Sequence, residues 1–219
     1  VYSCYFLFNK ISKYYNSNLT YEEIENDIKN HPFGKFLSQE SETVCDEKAL
    51  QYFKKELSGI ESFKIYEIEE KRDQNSLIKG KYENFSLTSR NSSAIKSFIK
   101  NNRLSDFSFF LTIYTIFISK LTDADKFVIG IPLANRENLN VVGYFVNTLP
   151  LVINYDSKET FKNLCVSLQI KLYNLVKYQN FDISTLAENN ISGFFNNVCT
   201  YQKQQIALKL NDCKFTNID

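Results

Sequence analysis

The chain has 219 residues, enough for one large domain or two small ones, and 43% of them are hydrophobic, enough for a sizeable core. Its 26 Lys and Arg stand against 25 Asp and Glu, a formal net charge of +1, and no run of like charge stands out. This balance argues against a nucleic-acid binder. The most apolar stretch, residues 107–121, is shorter than the roughly 20 residues a membrane span needs. The first residues lack the basic start and small-residue cleavage site of a signal peptide, so the expectation is a cytoplasmic protein with no membrane partner. Five scattered cysteines (Cys4, Cys45, Cys165, Cys199 and Cys213) form neither a disulfide framework nor a metal site; reduced thiols and no bound metal are expected.

Residues 1–15 carry apolar and aromatic groups on nearly every face, as a buried helix would. Residues 16–43 read as polar and irregular, with HPFG at 31–34 as a breaker. Residues 45–57 form an amphipathic helix on Ala49, Leu50, Phe53 and Leu57, stopped by Gly59. A short strand at 63–70, a charged boundary at 69–76 and a second strand region at 77–88 follow. Ser92 or Ser93 caps the next helix, with Ile95, Phe98 and Ile99 inward, and Asp106 caps the apolar helix that runs to about Leu121. The continuous apolar runs KFVIGIPL (126–133) and TLPLVIN (148–154) read as central strands. Ser157 caps a helix to about Tyr178, with Phe161, Leu164, Cys165, Leu168, Leu172 and Leu175 as its stripe. A short helix near 184–189 and strands near 196–202 and 206–216 complete the chain. The class is α/β, or α+β with a mixed sheet.

Most standard catalytic motifs are absent. His31 is the single histidine; it sits in a turn before a proline and reads as structural or exposed. No phosphate loop, HExxH or GxSxG occurs. The distinctive stretch is 125–186: Gly130, Pro132 and Arg136 in a GxPxxxR-like turn, VGYFVNT at 142–148, then a helix ending in YQNFDIS at 178–184. In order and spacing this resembles the condensation domains of nonribosomal peptide synthetases. QYFKKELSG at 51–59 and VCTYQ at 198–202 add fainter agreement. The departures are Val152 where the family has an Arg, YQNFDIS where it has HQxxPFE, Phe53 where a Trp is usual, and no HHxxxDG catalytic motif.

The resemblance implies a chloramphenicol-acetyltransferase-like architecture of two lobes flanking a tunnel. Residues 1–68 would be the tail of the first lobe, 69–76 a linker and 77–219 most of the second. The chain has no Met and starts and stops abruptly, so it reads as an incomplete domain lacking the HHxxxDG segment and the last elements. The implied reaction joins a donor acyl thioester to an acceptor amine. Both ride on the phosphopantetheine arms of peptidyl or acyl carrier proteins, beside an adenylation domain, and no cofactor is bound directly. Arg136 would pair with the motif Asp as a structural residue. Gly143 would allow a backbone conformation or a close approach barred to a side chain. Asn147 would bond nearby backbone. Phe145 and Val146 would be core, and Thr148 completes the motif. Tyr201 and Gln202 are candidates for lining the tunnel. No catalytic residue is expected in this chain. A non-catalytic carrier-docking module and a stand-alone ester-forming acyltransferase are the alternatives.

Overall fold

Two apolar runs pair at the centre of the fold. β1 (Lys126–Leu133) and β2 (Asn147–Asn154) are antiparallel, with Gly130 opposite Pro150 and Leu133 opposite Asn147. Phe127, Val128, Ile129 and Ile131 are all fully buried, so β1 is covered on both faces, as its unbroken apolar sequence requires. On the side of β1 away from β2, Gly130 N–H donates to the Asn197 carbonyl (3.0 Å), and Cys199 N–H donates to the Gly130 carbonyl (3.0 Å). This is a parallel bridge between Gly130 and Val198, which makes the sheet mixed. The expected strand at 196–202 is reduced to that one bridge.

The computed structural model describes residues 2–30, 46–60, 65, 81–135, 143–193 and 195–202. His31, Cys45, Cys213, Arg136, the charged stretch 69–76, the strand at 206–216 and nearly all of the strand at 63–70 lie outside the described residues.

The helices are α1 (Tyr2–Asn16), α2 (Tyr21–Lys29), α3 (Glu47–Leu57), α4 (Ser89–Asn101), α5 (Asp106–Thr122), α6 (Phe161–Val176) and α7 (Ser184–Glu188). α5 packs along α6, α6 also covers β2, and α3 meets α7. Leu111 and Ile118 of α5, Leu168 and Leu175 of α6 and Ala49 and Phe53 of α3 join the strand residues in one core. Cys165 belongs to a satellite cluster with Ile99 and Phe109, and as expected it is a buried core residue.

Several expectations are corrected. The helix caps lie one to five residues from the expected ones. Thr88 rather than Ser92 or Ser93 caps α4, accepting from Asn91 N–H; Ser105 rather than Asp106 caps α5; Thr160 rather than Ser157 caps α6. Asp106 instead occupies the first turn, where its charge suits the positive end of the helix dipole. Residues 81–88 form no strand and are exposed. α2 arises where an irregular segment was expected. Thr20 and Glu23 form a reciprocal capping box, so the first turn is held by side chains despite few apolar residues. α1 is not buried on all sides, since Leu7, Ile11 and Tyr15 are exposed. Its other face holds α2: Lys10 Nζ and Tyr14 Oη both donate to Asp27 Oδ2 at 2.5 Å. Gly59 ends α3 with φ of +68°, the conformation that favours glycine.

No single described helix is long and apolar enough to cross a membrane.

Candidate functional site

Residues 143–148 lead into β2, and their side chains alternate. Phe145 is 7% exposed and points into the fold, whereas Tyr144 is 88% exposed and Val146 41% exposed. Val146 is therefore not core; an extended backbone sends neighbouring side chains to opposite faces. Thr148 is half-buried opposite Pro132.

Gly143 is tied to the start of α1. Its N–H donates to Ser3 Oγ (3.1 Å), and the Ser3 hydroxyl donates to the Gly143 carbonyl (2.5 Å). Its φ lies outside the left-handed region, so the positive-φ argument for glycine does not apply at this position.

Asn147 bonds to backbone, but to a distant segment rather than to its own turn. Its Nδ2 donates to the carbonyls of Gln179 (2.9 Å) and Phe181 (2.7 Å), clamping the beginning of β2 to the chain that leaves α6. The YQNFDIS stretch lies in that exit. Tyr178 stacks on Tyr52 of α3 with centroids 4.5 Å apart, and Phe53 packs against Phe181 at 4.9 Å. Burial, then the nearby Glu56 and Tyr178, push the Tyr52 phenol up to about 12. Phe53 is fully buried, as a helix-to-core anchor should be.

Val152 sits in the core. A cation reaches the same strand position from α6, because Lys171 Nζ donates to the Val152 carbonyl (2.9 Å). Burial lowers the Lys171 pKa, Glu56 offsets part of that, and Lys126 adds to the lowering.

On the other side of β1, Asn197 Nδ2 donates to the Val128 carbonyl (3.1 Å), and its buried Oδ1 has no hydrogen-bond partner among the described residues. The Phe195 ring lies against Gly130. Tyr201 stacks on Phe110 (5.8 Å) and Phe107 (6.4 Å) of α5, and Gln202 is exposed. The structure thus gathers Gly143, Phe145, Asn147 and Thr148 at the start of β2. Tyr201 and Gln202 follow the bridge on the far side of β1. Sequence reasoning did not find Ser3, Tyr52, Tyr178, Lys171 or Asn197; only the aromatic content of YQNFDIS hinted at the α3 contact.

No group of His, Cys, Asp and Glu among the described residues could hold a metal ion. The described cysteines, Cys4, Cys165 and Cys199, are free.

The Condensation domain family model matches residues 2–211. The chain belongs to the condensation domain family. The condensation domain is 32% identical over 84 residues to the PKS-NRPS hybrid synthetase psoA of Aspergillus fumigatus, covering 37% of this chain and 2% of that protein. It is 28% identical over 156 residues to the beauvericin nonribosomal cyclodepsipeptide synthetase of Gibberella fujikuroi, covering 69% of this chain and 5% of that protein. A crystal structure of a four-domain nonribosomal peptide synthetase bound to AMP and glycine superimposes with a TM-score of 0.68 at 22% identity. It covers 90% of this chain and 15% of that one, and the likeness shows the fold. The condensation domain therefore spans only a few hundredths of the length of these curated relatives, and its mixed α/β architecture is that of the family.

Proposed function

We propose that the chain takes part in amide-bond formation between a donor acyl thioester and an acceptor amine, each carried by a phosphopantetheine arm on a carrier protein. The amine nitrogen attacks the thioester carbonyl, the C–S bond breaks, and the released thiol takes the proton. Holding both tethered reactants in one tunnel makes their encounter effectively unimolecular and supplies much of the rate. Adenylation domains of the same synthetase would load the carriers.

The observation that carries this reading is the contact between Ser3 and Gly143. In the family, HHxxxDG precedes a helix such as α1, and the second lobe supplies a segment that crosses to the first. A bond from the first turn of α1 to Gly143 supports a joint at which such a motif would face Arg136. On this reading Arg136 pairs with the motif Asp and shapes the loop, and Asn147 holds the crossing segment. Residues 1–68 complete the first lobe, 69–76 link, and 77–219 build the second. Tyr201 and Gln202 would lie along the tunnel wall. The single histidine of this chain is His31, so catalysis requires a longer chain that carries the motif.

The test is a chain containing HHxxxDG together with these residues, incubated with loaded donor and acceptor carriers. Mass spectrometry should find the donor acyl mass on the acceptor arm, and 1–219 alone should give none. Absence of transfer by the longer chain overturns the reading. Arg136→Ala in the longer chain should lower stability by about 3–5 kcal/mol, the usual cost of orphaning a buried partner charge. A variant that melts like its parent overturns the pairing. Ester formation is the second reading, because one relative is a cyclodepsipeptide synthetase. Offering a hydroxyacyl acceptor beside an aminoacyl one separates the two.

A further inference from the structure

Among the described residues, two buried side-chain polar atoms have no hydrogen-bond partner: Asn197 Oδ1 and Thr115 Oγ1 of α5. The first can only accept, and the second can donate. Asn197 is 6% exposed and Thr115 is fully buried, so bulk solvent satisfies neither. Neighbouring hydroxyls on α5 bond to the backbone four residues back. Thr112 donates to the Ser108 carbonyl (2.7 Å) and Thr122 to the Ile118 carbonyl (2.8 Å). Thr115 makes no such bond.

The Asn197 amide cannot simply be turned round. Its Nδ2 donates to the Val128 carbonyl, and the reverse orientation would set two acceptors against each other. The carboxamide oxygen therefore faces away from that carbonyl.

Chain geometry brings Thr115 to the same place. Asn197 and Cys199 turn inward, whereas Val198 and Thr200 are exposed, as in an extended chain. Tyr201 continues the inward set and stacks on Phe107 and Phe110, so α5 covers this face. Residues 123–125 join α5 directly to β1, so the two run in opposite directions. The parallel bridge between Gly130 and Val198 then makes the 197–201 segment antiparallel to α5. Going back from Tyr201 to Asn197 covers about 13 Å of extended chain, or about nine residues of helix. Counted from Phe107 and Phe110, that reaches about residues 116–119 of α5. Thr115 lies within about one turn of this level. It shares a helix face with Leu111 and Ile118, which join the strand residues in the core. Burial pushes the thiol of Cys199, on the same inward face, up to about 11, as in a place shielded from solvent.

We propose that Asn197 Oδ1 and Thr115 Oγ1 together hold one buried water molecule that ties α5 to the segment beside β1. The water donates to the Asn197 carboxamide oxygen and accepts from the Thr115 hydroxyl. Two polar partners are the minimum that a buried water needs. A satisfied polar group in a core specifies position more than it adds stability. Slipped by two residues along β1, the segment would put Cys199 where Asn197 stands. It would then lose both the Val128 bond and the water. The level at which Tyr201 meets α5 is fixed by the same joint.

The test is NMR on the isotope-labelled full chain. A long-lived water should give a cross-relaxation peak to the Asn197 side-chain amide protons, with the sign of a bound water rather than of a fast-exchanging surface one. Thr115→Val should abolish the peak. Thr112→Val, which removes a hydroxyl bonded within α5, should leave it. Urea denaturation supplies the second measurement. Thr115→Val and Asn197→Leu should each raise the unfolding constant about tenfold. The double variant should fall well short of the roughly hundredfold that independent sites would give. No water peak in the parent, or a peak that survives Thr115→Val, overturns the site. Fully multiplicative effects in urea overturn the pairing of the two residues.

Discussion

Replacing Gly130 by Ala tests the joint between β1 and the 197–199 segment. A Cβ built on Gly130 would lie 2.5 Å from Phe195 Cε2, 2.9 Å from Cδ2 and 3.0 Å from Cζ. These are contacts with a ring rather than a flexible chain end, and the chain two and four residues beyond Phe195 is tied to Gly130 by both of its backbone hydrogen bonds. Overpacking of this kind costs about 1–3 kcal/mol. Removing a strand glycine returns about 0.5–1 kcal/mol of backbone entropy. The net expectation is a loss of about 1–2 kcal/mol, or a melting temperature lower by about 2–8 °C for a chain of this size. Urea denaturation with and without Phe195→Leu makes a double-mutant cycle. Most of the cost should vanish when the ring is shortened. A Gly130→Ala chain as stable as its parent, or a cost unchanged in the Phe195→Leu background, refutes the reasoning.

Asn147→Ala should cost about 1–3 kcal/mol, because the carbonyls of Gln179 and Phe181 lose their shared donor; urea midpoints measure this, and a change below about 0.5 kcal/mol contradicts it. The raised phenol of Tyr52 contributes stability that is fully present below pH 10 and is lost as pH rises toward about 12, since the unfolded chain ionises first. Denaturation midpoints should fall across that window and fall less in Tyr52→Phe; identical profiles would contradict the assignment. Burial pushes the Cys199 thiol up to about 11 and also raises that of Cys165, whereas Cys4 is exposed. At pH 8 a disulfide reagent mapped by mass spectrometry should label Cys4 well before either. Equal rates at Cys4 and Cys199 would overturn this ordering.

The legible part of the fold rests on long periodic patterns. The stripes of α3 and α6, the apolar α5 and the continuous runs of β1 and β2 appear where their sequences place them. The caps were less legible because several hydroxyl or carboxyl residues compete within one or two turns: Thr88 with Ser92 and Ser93, Ser105 with Asp106, Thr160 with Ser157. Which one captures a backbone N–H depends on where packing starts the helix. α2 was missed because its stability lies in the capping box more than in an apolar stripe. In the candidate site, the motif identified Gly143, Asn147 and Thr148, but not what they touch. Asn147 reaches across 32 and 34 residues, Gly143 across 140, and Tyr52 meets Tyr178; no local pattern encodes such pairings.

The bond between Ser3 and Gly143 also bears on the order in which the chain assembles. Closing a flexible loop of 140 residues costs about 4 kcal/mol in chain entropy before any fixed term is added. Two hydrogen bonds return about 1–3 kcal/mol net. They cannot pull the two ends together; they form only once β1, β2 and the helices between have already brought Gly143 within reach. On this account α1 is expected to attach after the strands that carry Gly143 have formed. Amide exchange would show it as early-exchanging helix on a slow core.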